Sequence, residues 1–67
     1  MMDLERVRET IFYLVDCWCS EDPVYRVAPS WIKGQISFAF LIGAITRSEK
    51  IELNCRILEA REDEYDG

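Results

Sequence analysis

A chain of 67 residues and 7.9 kDa has room for one domain, and at this size folding buries only about 60% of the surface that the unfolded chain exposes. Apolar residues make up 49% and charged residues 31%, a globular balance well away from disorder, and the lack of any histidine excludes schemes built on an imidazole base or ligand. The net charge of −5 gathers at one end: Glu62, Asp63, Glu64 and Asp66 leave nine acids against eight bases in the rest of the chain, so the basic field of a phosphate-binding protein is missing.

Leu4, Val7, Ile11, Leu14 and Trp18 recur at spacings of three and four, which sets five large side chains on one stripe of a helix over about residues 4–18. Asp3 is placed to cap it, with Glu5 and Glu9 toward the positive end of its dipole. Phe12 and Val15 widen the stripe beyond the seam of a two-stranded coil, so the helix should pack against two neighbours.

Pro23 and Pro29 break the helical pattern and leave a connection over 19–29. It is apolar for a linker, since Val24, Tyr25 and Val27 surround Arg26. One reading folds Val24 and Val27 down over an open end of the bundle. The other presents the loop to a partner, and Tyr25, Arg26 and Trp31 are then the candidate partner-binding residues, because these types are enriched at interface hot spots and fall within seven positions.

Ser30 is placed to cap a second helix over about residues 31–43, which Gly43 closes. Ile36, Phe38, Phe40 and Ile42 alternate as a strand would, but Ala39 and Leu41 between them are apolar too, so period alone does not decide. Thr46 with Glu49 forms a capping box that opens a third helix over about 47–61. There Ile51, Leu53, Cys55 and Ile57 alternate again, against which stand the Glu52–Arg56 pair and a run of good helix formers.

The expected architecture is all-α: three short helices in a small bundle over 1–61, followed by an acidic C-terminal tail over 62–67. The alternative is an α+β fold with one helix and a β-hairpin. The expected core is Leu4, Val7, Ile11, Leu14, Trp18, Ile36, Phe40, Ile45, Ile51, Cys55 and Leu58. Helix 2 has apolar residues to spare: eight of the ten positions in 36–45 are apolar, and at about 100° per residue they leave no polar stripe for water. A homodimer through Phe38, Leu41 and Ile42 would cover the surplus.

Catalysis finds few residues to use. Lys33 and Lys50 lie at predicted helix starts with no glycine-rich phosphate cradle, and Gly34, Gly43 and Gly67 make no nucleotide fingerprint. Cys17 and Cys19, two apart on a helix, point away from each other, and with Cys55 they lack a fourth ligand for zinc. No enzyme activity, metal or cofactor is expected. The charged stretch 1–9 is not a secretory leader, and the longest apolar run, 36–45, is too short to span a bilayer. A cytoplasmic protein with free thiols and no membrane partner is the expectation.

Trp31, Gly34, Gln35 and Ile36, then Gly43-Ala44-Ile45-Thr46 with Glu49 and a later Arg56-Ile57, resemble the helix, Gly-x-Ile-Thr, helix hairpin of small phage and prophage accessory proteins, over about half the chain. The resemblance implies a factor that binds and modulates a host protein inside a bacterium. An acidic tail is either a solvated end or an Arg-engaging phosphate mimic with Tyr65 as its anchor. The alternative function is therefore a nucleic-acid mimic or a helix-turn-helix regulator reading DNA through Arg47, Lys50 and Asn54, although Glu49 and Glu52 interrupt that face.

Overall fold

In the structure, a computed structural model, residues 3–65 are described, apart from the side chains of 62–65. The chain forms α1 (Leu4–Ser20), a 3-10 turn (Pro23–Tyr25), α2 (Pro29–Leu41) and α3 (Arg47–Tyr65). No strand occurs among the described residues, so the all-α reading of 36–42 and 51–57 holds and the hairpin alternative falls.

The boundaries follow from local chemistry. Asp3 accepts from the Arg6 amide at 3.2 Å and caps α1. The expected Ser30 cap of α2 gives way to a start two residues earlier: Ala28 is the cap residue, without a side-chain bond, and Pro29 occupies the first helical position. Proline is suited to that position because its fixed φ is already helical and it has no amide to leave unpaired. At the other end, Gly43 takes φ 83°. There its amide donates to the Phe40 carbonyl at 3.0 Å, and the next amide, Ala44, donates to the Ala39 carbonyl at 2.9 Å. This is a Schellman closure, in which a left-handed glycine lets two orphan carbonyls of the last turn be satisfied.

The capping box then forms as the sequence predicts. Thr46 Oγ1 accepts from the Glu49 amide at 3.1 Å, and Glu49 Oε1 accepts from the Thr46 amide at 3.0 Å. From here α3 runs to Tyr65, past the expected end at 61, since Glu, Ala and Arg are good helix formers and no Gly or Pro intervenes. Glu62, Asp63 and Glu64 thus continue the helix backbone, and Asp66 lies outside the described residues.

Arg8 on α1 reaches Glu49 on α3 at 2.5 and 2.8 Å, and Asp16 further along α1 pairs with Arg56 further along α3. The register ascends in both helices, so α1 and α3 run parallel with α2 returning between them. Ile11, Val15 and Trp18 of α1, Ile32, Ile36 and Ala39 of α2, Leu53 and Ile57 of α3, and Ala44 and Ile45 of the turn form the buried core.

Four expected core residues are corrected. Leu4 at 42%, Ile51 at 54% and Leu58 at 50% exposure, with the exposed Cys55, face outward. On α3 two apolar stripes compete, and the ion pairs show which side meets α1: at 100° per residue Glu49, Leu53, Arg56 and Ala60 lie within about 60° of one another, while Ile51, Cys55 and Leu58 lie on the opposite side. On α1 the stripe is centred one step round from the expected one, on Val15 at 0% exposure, with Val7 and Leu14 only packed against its edge.

Candidate interaction surface

The connection between α1 and α2 is held in place from inside. Asp22 accepts from the Val24 amide at 3.0 Å, and the amides of Tyr25 and Arg26 close back onto the Asp22 and Pro23 carbonyls. Arg26 is the main tie. Its Nε donates to the Glu21 carbonyl at 3.0 Å and its terminal nitrogens to the carbonyls of Cys19 at 2.8 Å and Ala60 at 3.4 Å. Meanwhile the guanidinium lies 4.6 Å from the centre of the Trp18 ring. Trp18 Nε1 in turn donates to the Val27 carbonyl at 3.0 Å. One planar, five-donor cation therefore satisfies carbonyls at the end of α1, in the loop and on α3 together.

The expected cluster of Tyr25, Arg26 and Trp31 is divided by this arrangement. Arg26 is half-buried and turned into the fold, while Tyr25 at 73% and Trp31 at 48% exposure face solvent. The folding-down of Val24 and Val27 over the bundle end does not occur: they stand 82% and 51% exposed. Anchoring is done by Arg26 and by the Val27 backbone instead, which leaves three large apolar side chains displayed on a pinned loop. Composition announced the apolar loop, but nothing in the sequence distinguished an Arg that displays itself from one that holds its neighbours.

A second apolar surface lies on the outer side of α2. Phe38 is 50% and Leu41 79% exposed, whereas Ile42, the third of the expected dimer residues, packs against the core and leaves that set. Between α2 and α3 runs an open groove of about 420 Å³ lined by Lys33, Ser37, Ile51, Asn54, Cys55 and Leu58. This groove is what the outward stripe of α3 borders.

The candidate DNA-reading residues are separated in a similar way. Arg47 is exposed, Lys50 holds its ammonium 4.7 Å from the Phe40 ring centre, and Asn54 lines the α2–α3 groove. Of the thiols, Cys19 donates to the Arg56 carbonyl at 3.8 Å and burial pushes its pKa up, away from the reactive thiolate. Cys17 and Cys55 are exposed. Among the described residues, no three Cys, Asp or Glu side chains gather to hold a metal ion, and no helix is long and apolar enough to cross a membrane. The side chains of Glu62, Asp63 and Glu64 lie outside the described residues.

No family model, curated protein or solved structure matches the chain.

Proposed function

We propose that the chain is a non-enzymatic protein-interaction module, an accessory factor of phage or prophage type that acts in the bacterial cytoplasm by binding and modulating a host protein. The partner lands on the loop at Val24, Tyr25 and Val27. The observation that carries this reading is the combination of strong exposure and internal restraint at one loop. Exposed Val24 and Tyr25 contribute nothing evident to the bundle, yet the backbone beneath them is fixed by four side-chain hydrogen bonds from Arg26 and Trp18. Ordering a loop is among the costs of association, so a loop already ordered binds with more of its contact energy intact. Tyrosine suits such a site because it offers large area with few rotatable bonds.

The test is affinity capture from a bacterial lysate with the wild-type chain and a Val24→Ser, Tyr25→Ala double variant, followed by titration of the captured protein. Both positions are exposed, so the variant should melt within about 0.5 kcal/mol of wild type. A loss of capture with unchanged melting supports the reading; equal capture by the folded double variant removes the loop from consideration.

A further inference from the structure

Beyond Ser30 in its first turn, the exposed positions of helix α2 are Trp31, Gly34, Phe38 and Leu41, which at 100° per residue fall within about 80° of its circumference. Three of them are large and apolar, and the fourth is glycine. Glycine weakens a helix interior relative to alanine. Nothing inside the chain calls for it at 34, since a Cβ built there would meet no atom within 4 Å and its φ is not left-handed. The empty space lies outside the molecule, along the same face as Phe38.

The spacing of these four positions is symmetric. Trp31 and Leu41 lie five residues to either side of position 36, and Gly34 and Phe38 lie two to either side. In a two-fold contact, residue i must meet j while j meets i. Laying a second α2 antiparallel over the first at the level of Ile36 sets Trp31 against Leu41 of the second copy, and Gly34 against Phe38 of the second copy. The Phe38 ring of each chain then faces a position without a side chain, twice over.

We infer that the outer face of α2 is the seam of an antiparallel homodimer, with Phe38 of each chain filling the space over Gly34 of the other. The area fits this occupant. Trp31, Phe38 and Leu41 expose on the order of 100 Å² each, near half of the roughly 800 Å² that each member of a standard interface buries. Next to them the face continues onto α1 in a cleft of about 130 Å³ lined by Val7, Thr10, Leu14 and Phe38. Charge raises no obstacle, because Lys33 is the only charged residue from 29 to 46 and lies in the groove toward α3, off the seam. An unrelated partner could cover an apolar face, but it would not require the pairing 31 with 41 and 34 with 38. This seam is separate from the loop at Val24 and Tyr25, so either can fail without the other.

Sedimentation equilibrium of the full chain from about 1 μM to about 1 mM should give twice the 7.9 kDa of one chain. Leu41→Glu, at a position 79% exposed, and Trp31→Lys should each sediment as folded monomers. An equal mixture of the two should recover the dimer, because the antiparallel register then sets Lys against Glu at one end and the native Trp31 and Leu41 at the other. Gly34→Ala should raise the melting temperature of a chain already made monomeric by Leu41→Glu, and in the wild-type background weaken dimerisation about tenfold or more. A wild-type mass of one chain throughout overturns the inference. So does a dimer that Leu41→Glu and Gly34→Ala leave unchanged, or a mixture of two monomeric variants that stays monomeric.

Discussion

Arg26 shows how much of so small a domain can rest on one side chain. It joins the end of α1, the loop and α3 through three carbonyls, with its plane against Trp18. Arg26→Ala leaves the Cys19 and Ala60 carbonyls without this donor and should cost about 2–3 kcal/mol in urea unfolding. Arg26→Lys should recover little of it, because an ammonium cannot reproduce the planar fork. Glu49 is the second such residue. The Thr46 amide, and then Arg8, hold its carboxyl below the usual carboxylate range. Its contribution is therefore complete above the ordinary glutamate pKa and is lost as pH falls through the lowered folded one. Thermal melts should show wild type ahead of Glu49→Gln near neutral pH and the gap closing as the pH falls below the ordinary glutamate pKa of about 4.3. A gap that stays constant over that range would mean that the charge of Glu49 is not what stabilises the turn.

At the scale of elements, α3 gives the sharpest contrast between its two apolar faces. Leu53 and Ile57 are fully buried, and truncating either to alanine should cost about 2–5 kcal/mol. Ile51→Ala and Leu58→Ala, at half-exposed positions, should each cost less than about 1 kcal/mol. Urea midpoints of the four variants check the assignment, and comparable losses from both pairs would place the helix the other way round. Local signals in the sequence were enough to read three of the four caps, Ser30 being the exception: Asp3, the Thr46 and Glu49 box, and Gly43 each act within a few residues, and each stands where its chemistry predicts. The choice between two faces of α3 is a different kind of question. Both stripes are apolar, and only the partners of Glu49 and Arg56 on a helix about 40 residues away decide which one turns inward. The candidate loop was legible as apolar and interrupted by proline, and the α2 surplus as an excess of apolar residues in 36–45. The inward turn of Arg26 and the burial of Ile42 depend on where three helix ends converge, which no periodicity records.

The whole molecule has one short and one long route to its contacts. Five residues, 42–46, join α2 to α3, and both ends of that turn are locally satisfied by the Schellman bonds and the capping box. The α1–α2 connection is longer, over 21–28, and the ion pairs between α1 and α3 span 41 and 40 residues in sequence. Loop closure favours the nearer contacts, so the α2–α3 hairpin should form in the folding transition state and α1 should dock after it. Thr46→Ala, which removes a cap of about 1 kcal/mol, should then slow folding about fivefold with little change in unfolding. Val15→Ala and Arg26→Ala should act on the other limb, speeding unfolding and leaving the folding rate near wild type, because Val15 meets the core and Arg26 locks the loop only when α1 has arrived. Urea chevrons measured in the Leu41→Glu chain keep association out of the kinetics. If Val15→Ala slows folding as much as Thr46→Ala does, α1 is already docked in the transition state, and the order of assembly set by the two connections is wrong.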